Sequence, residues 1–173
     1  MIREDLRAYA NGRGLGAKIA IILSNPCFQS VALYRASSLF CRCHLSVLSK
    51  VVWYVNRVLY GVDIDYHAKI GPGFRIVHGL GIVVGRNVRA GRNLTMYHKV
   101  TLGGMPGDAF REDEDGVPFD QPRIGDNVTI FTGANVFGPV VIGDGQVVKA
   151  CKIVTRDIPD ETQSVYSPKT FCE

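Results

Sequence analysis

Two rhythms of apolar residues divide the chain near residue 61. Before that point the spacing is helical. Asn25-Pro26 predicts a helix start, a capping residue followed by proline in the first turn. From there Phe28, Val31, Leu33, Tyr34, Ser38 and Leu39 fall mostly on one helical face, and a second apolar run over 47–59 is interrupted by Lys50, Asn56 and Arg57. These segments predict a pair of core or interface helices. The alternative reading is an amphipathic surface resting on a membrane as a peripheral contact.

From Asp63 onward an aliphatic residue recurs at every sixth position: Ile64, Ile70, Ile76, Ile82, Val88, Leu94 and Val100, then Ile124, Ile130, Val136, Ile142, Val148 and Val154. A period of six fits neither a helix nor a hairpin sheet. It fits a parallel β-helix, with one short strand and one corner per repeat and three repeats per triangular coil. The aliphatic side chains then stack inward as the core, each contributing roughly 1.5–3 kcal/mol on burial. Glycine follows directly in Ile70-Gly71, Ile124-Gly125 and Ile142-Gly143, and is expected there to relieve φ restrictions at corners. The predicted class is an all-β main domain over 62–158, after a short α-helical region over 1–61. A loop is inserted at 105–122 and a tail covers 159–173.

Composition narrows the picture. Hydrophobic residues at 46% and charged residues at 21% exclude a disordered chain. Net charge is +4, but residues 105–121 carry six acidic side chains against Arg111 alone, a local −5 that leaves +9 on the rest. A basic body suits an anionic cofactor. No lysine or arginine run is interleaved with aromatics, so nucleic acid is not an expected partner. Five cysteines, an odd number without zinc-ligand spacing, read as free thiols in a reducing cytoplasm. No signal peptide or long apolar span is recognisable.

The run Val62-Asp63-Ile64, Lys69-Ile70-Gly71, His78, Gly81-Ile82-Val83-Val84-Gly85 and Val100-Thr101-Leu102-Gly103-Gly104 resembles the hexapeptide-repeat acyltransferases. Within them it is nearest the serine acetyltransferase branch, which includes O-acetyltransferases of colanic acid and capsular polysaccharide. The resemblance implies a left-handed coil, an exception to the usual crossover rule. It also implies acetyl-CoA as co-substrate, no metal, and a homotrimer in which the inserted loop reaches the active site of the adjacent subunit. Pairing of two trimers through the N-terminal helices is a further expectation.

Acetyl transfer to a hydroxyl needs a base, a group that holds the base in one tautomer, and donors for the oxyanion. His78 is the candidate base. Asp63, fifteen residues earlier and close to one coil away, is the candidate orienting carboxylate; the resemblance implies the same dyad. His98, twenty residues beyond His78, is a candidate substrate contact. The resemblance implies that Gly104, with Gly103, meets the thioester, and that Thr132 and Ala150 meet CoA. Lys149, Lys152, Arg156 and Lys169 are candidates for its phosphates. A metal-dependent hexapeptide enzyme would need three converging histidines, with His67, His78 and His98 supplying only the number; a non-catalytic scaffold is another reading.

The acceptor is read from departures. Val77 stands where similar serine acetyltransferases have aspartate before the base, and Phe119-Asp120-Gln121-Pro122 where they have Asp-Arg-His-Pro. Groups that would hold an amino-acid zwitterion are missing, whereas Phe119 or Tyr97 can stack on a sugar ring. The expectation is therefore a saccharide acceptor in surface polysaccharide assembly, with serine as the alternative.

Overall fold

A computed structural model describes residues 1–160, apart from 106, 108, 109, 114 and 115. Lys169 and most of the tail lie outside the described residues. Four helices come first: α1 (Ile2–Ala10), α2 (Leu15–Ser24), α3 (Pro26–Arg42) and α4 (Ser46–Tyr60). With so much helix before the first strand, an all-β description is too narrow. The predicted start of α3 is present: Asn25 Oδ1 accepts a hydrogen bond from Phe28 N at 2.9 Å, and Pro26 opens the helix. Helices α3 and α4 meet through small polar residues, with the Ser37 and Ser49 hydroxyls each donating to the other residue's carbonyl at 2.8 Å. Gly61, at φ 62°, closes α4 in the left-handed conformation and turns the chain into the first strand.

The remainder is a parallel β-helix of three sheets. The first sheet joins β1 (Val62–Ile64), β4 (Ile82–Val84), β7 (Thr101–Gly103), β12 (Asn135–Phe137) and β15 (Ile153–Val154). The second joins β2 (Lys69–Ile70), β5 (Arg89–Ala90), β10 (Arg123–Ile124) and β13 (Val141–Ile142). The third joins β3 (Arg75–Val77), β6 (Thr95–Tyr97), β11 (Thr129–Ile130) and β14 (Val147–Val148). All thirteen hexad residues are buried. The series nevertheless changes phase. Ile82 pairs with Val62 and not with Ile64, so the first coil is two residues longer than a regular one, and the surplus lies at 78–81. The change is silent in the sequence because the strands on either side of 78–81 present two inward positions, both apolar: Val62 and Ile64, Phe74 and Ile76, Ile82 and Val84. The insertion restores the phase, since Thr101 pairs with Asn135.

Gly71, Gly91, Gly125 and Gly143 form a column between the second and third sheets. None has a positive φ. A Cβ on Gly125 would sit 2.8 Å from Asp144 N of the next coil, and the others would meet equally close atoms. Close approach of successive coils, rather than the expected φ freedom, requires these glycines.

The first coil has no coil beneath it, so β2 and β3 would present unpaired backbone groups. Helical side chains supply the partners. The Tyr9 hydroxyl accepts from Ile76 N at 2.8 Å and donates to Ile76 O at 3.1 Å. The Tyr34 hydroxyl donates to Ala68 O at 2.7 Å and accepts from Ile70 N at 3.3 Å. Asp5 Oδ1 accepts from Phe74 N at 2.9 Å, and Arg35 donates to Ile70 O and Gly71 O. Asp5 and Arg35 are themselves paired at 2.8 Å, at 0% and 9% exposure. The insertion carries a short antiparallel pair, β8 (Arg111–Glu112) with β9 (Pro118–Phe119). It is pinned by Arg111 to Asp157 at 2.6 Å and by Asp113 to Arg123 at 2.7 Å. Burial raises the Asp157 carboxyl, but the hydrogen bonds from Arg111 and Val141 N outweigh it and hold the pKa below the usual value.

Removing one member of the buried pair leaves the other charge unpaired. Asp5→Ala or Arg35→Met is expected to cost about 3–5 kcal/mol, and the double variant less than the sum of the two; urea unfolding measures both. Burial raises the pKa of the Tyr9 and Tyr34 hydroxyls. Their contribution is therefore full below the unfolded tyrosine value of 10.0 and lost as pH rises above it. Melting temperature should fall on the alkaline side, and less steeply in Tyr9→Phe.

Candidate active site

The structure brings several predicted residues to one edge of the prism, where the third sheet turns into the first. His78 lies at that corner at φ 55°, exposed, within the two-residue expansion. The turn is closed by Leu80 N donating to His78 O at 2.8 Å and by Gly81 N donating to Gly61 O at 2.9 Å. Further up the edge come His98, Thr132 and Ala150. Gly133 N donates to His98 O at 3.0 Å, and Cys151 N donates to Thr132 O at 2.8 Å, so successive coils stack these corners.

The His78 and His98 rings stand edge to face, with centroids 6.1 Å apart. His98 Nε2 is hydrogen-bonded to Thr132 Oγ1 at 2.7 Å, while its Nδ1 is shielded from solvent and without a partner. Thr132, expected against CoA, thus also fixes the second imidazole. Among the described residues the His78 ring makes no hydrogen bond, which leaves its nitrogens open to a substrate hydroxyl.

The expected bond from Asp63 to His78 is not formed. Asp63 Oδ1 accepts from Trp53 Nε1 at 2.9 Å, and Oδ2 faces Arg57 Nη1 at 3.4 Å. Both partners come from α4 and were missed in the sequence, where Arg57 reads only as an interruption of an apolar run. Helical spacing of Trp53 and Arg57 was the available signal, since residues four apart share a face.

Other expected residues lie elsewhere. Gly103 ends β7, and Gly104 leads into the insertion at the opposite edge of the first sheet from His78. A Cβ on Gly104 would meet nothing closer than 3.6 Å, and one on Gly103 nothing closer than 3.9 Å, so the chain's own packing demands glycine at neither. Phe119 is buried at 4% exposure under the Arg123 guanidinium, 4.5 Å from its ring centroid, and offers no free face. Tyr97 is stacked on Phe131 at 4.8 Å. Both aromatics are engaged within the protein, contrary to the sugar-stacking expectation. His67 is bonded to Asp65 at 2.8 Å and to Arg86 at 3.2 Å at another corner, so the three histidines do not converge. Among the described residues no group of three His, Cys, Asp or Glu is placed to hold a metal. Lys149 and Lys152 are exposed at the Ala150 corner, and Arg156 is exposed beyond β15, at the opposite edge of the first sheet. No helix among the described residues is long and apolar enough to cross a membrane.

No protein-family model matches the chain. Individual proteins do. It is 30% identical over 169 residues to a serine acetyltransferase of Bacillus pumilus, covering 97% of this chain and 74% of the relative. It is 31% identical over 169 residues to that of Mycobacterium tuberculosis, covering 96% and 70%. Among solved structures, the soybean serine acetyltransferase apoenzyme is 31% identical with a TM-score of 0.79, over 96% of this chain and 65% of that one. The Neisseria gonorrhoeae serine acetyltransferase in complex with serine is 25% identical with a TM-score of 0.79, over 92% and 63%. The chain thus spans less than two thirds of those two solved structures.

These likenesses fit the left-handed coil and bear out an acetyl-CoA-dependent O-acetyltransferase. Other solved serine acetyltransferases it resembles hold coenzyme A. They overturn the saccharide expectation: the relatives are named for serine and not for colanic acid or capsular polysaccharide. Near-complete alignment with the Bacillus and Mycobacterium enzymes, at 30% and 31% identity, shows that the chain belongs to the serine acetyltransferase family.

Proposed function

We propose that this chain transfers the acetyl group of acetyl-CoA to the hydroxyl of serine, with His78 as general base. The observation that carries the reading is an exposed imidazole free of protein hydrogen bonds, on an edge shared with His98, Thr132 and Ala150, in a member of this family. His78 takes the hydroxyl proton as the oxygen attacks the thioester carbonyl. The tetrahedral intermediate collapses by breaking the carbon–sulfur bond, and the proton passes to the departing sulfur, giving O-acetylserine and CoA. Asp63, held in this structure by Trp53 and Arg57 and not bonded to His78, would orient the base on release of the longer contact, to Arg57.

The room beside Gly103 and Gly104, unclaimed by the chain itself, suits the approach of a thioester. Thr132 and Ala150 would follow the pantetheine, with Lys149 and Lys152 at its phosphates. His78 and Gly104 lie at opposite edges of one sheet, so a single chain does not close the site; a homotrimer would join one copy's His78 edge to another copy's insertion. The exposed apolar face of α4, with Val47 at 75% and Val58 at 62%, and Leu80 at 70%, supports burial against a second copy. The division into a helical region ending near Gly61 and a catalytic β-helix follows from this reading.

His78→Ala should lower kcat by roughly 10²–10⁴-fold with the fold intact, followed as thiol release from acetyl-CoA with serine. Near-normal turnover rejects the assignment, and inactivity of the native chain toward serine rejects the acceptor. Val77→Asp restores a charge beside the base and should lower KM for serine with little change in kcat. Val51→Asp with Val58→Asp should reduce the mass seen by sedimentation from trimer towards monomer; an unchanged mass removes α4 from the contact.

A further inference from the structure

Trp53 and Arg57 lie one helical turn apart on α4, and both reach Asp63. Trp53 Nε1 donates to Asp63 Oδ1 at 2.9 Å, a well-formed hydrogen bond that fixes the carboxylate. Arg57 meets the other oxygen through Nη1 alone, at 3.4 Å, longer than a charge-assisted hydrogen bond. The guanidinium carbon of Arg57 stands 5.8 Å from the centroid of the Trp53 ring, which supports the side chain from one side. Its other N–H groups have no partner among the described residues, and its side chain is 56% exposed against 27% for Asp63. An exposed pair of this geometry contributes little and exchanges readily. The same turn of α4 abuts the His78 corner. Gly61 N donates to Arg57 O at 3.1 Å, and Gly61 O accepts from Gly81 N at 2.9 Å.

We propose that Arg57 determines acceptor specificity: it exchanges Asp63 for the acceptor's carboxylate, and the exchange frees Asp63 Oδ2 to orient His78. The assignment rests on serine being the acceptor. The hydroxyl and carboxylate of serine are only a few bonds apart, so a cation that reads the carboxylate must stand beside the base. The last turn of α4 stands there. The fork of Arg57 matches a carboxylate in two parallel hydrogen bonds, whereas Asp63 takes only one nitrogen. Val77, the residue before the base, has no charge to offer. Trp53 keeps Asp63 in place while Arg57 moves. Positive charge then passes from the orienting carboxylate to the substrate, and Asp63, no longer neutralised, stabilises the imidazolium that forms on His78. An acceptor without a carboxylate leaves Arg57 on Asp63 and the base without its partner.

The test compares serine with serinamide, which keeps the hydroxyl and the amine but lacks the carboxylate. Thiol release from acetyl-CoA gives kcat/KM for both in the full native chain, in Arg57→Gln and in Arg57→Lys. The native chain should prefer serine. In Arg57→Gln, kcat/KM for serine should fall about tenfold or more, while that for serinamide should rise, because Asp63 is released with no carboxylate needed in trade. Arg57→Lys, which keeps the charge but not the fork, should retain part of the preference for serine. A purely structural role for Arg57 would lower both substrates together, and that result overturns the proposal. So does a native chain without preference, or a serine-to-serinamide ratio that Arg57→Gln leaves unchanged. These results leave serine standing as the acceptor. Turnover of neither compound by the native chain rejects the acceptor, and the role of Arg57 with it.

Discussion

Coils of this protein must lie one strand spacing apart, and that spacing governs everything else. It requires an apolar side chain at the inward positions, because any void or charge would be repeated in contact with the coils above and below. It requires glycine down the column from Gly71 to Gly143, where a Cβ would strike the next coil. It also requires surplus residues to leave the prism at corners. The chain does so twice, with two residues at 78–81 and a longer excursion after Gly104, and the candidate chemistry gathers at these departures. An expanded corner frees His78 from the regular ladder and turns its ring outward.

A stack of parallel strands has an open lower end, and the helices solve that problem with side chains in place of a coil. Tyr9, Tyr34, Asp5 and Arg35 satisfy backbone groups of β2, β3 and their turns. A buried ion pair is seldom favourable by charge alone. Here Asp5 and Arg35 also receive or give backbone hydrogen bonds, which is what makes the burial tolerable. The helical region is therefore part of the β-helix's own structure. Through Trp53 and Arg57 of α4 it also holds the carboxylate expected to serve His78, so the helical region caps the stack from α1 and α3 and reaches the candidate site from α4.

Charge is partitioned with similar economy. The acidic insertion is drawn onto the basic prism by Arg111–Asp157 and Asp113–Arg123, which fixes its short hairpin at the corner opposite His78. That leaves the His78 edge free of the insertion's described residues.

The sequence by itself determined the β-helix, since a strict six-residue aliphatic period has one structural solution, and it determined the helix start at Asn25-Pro26 through local capping chemistry. It also marked His78 and His98 as neighbours, because coil arithmetic brings residues about one turn apart together, whereas Thr132 came only with the family resemblance. The acceptor was misread from Val77 and Gln121, where local departures outweighed likeness along the whole chain. Only the tertiary structure decided that Asp63 faces Trp53 and Arg57, that Phe119 is buried beneath Arg123, and that Gly104 stands across the sheet from His78. Each of these depends on which faces of separate elements meet. A period repeated along the chain carries no information about that, because around 78–81 both inward positions of the strands are apolar and a two-residue slip leaves the pattern unchanged.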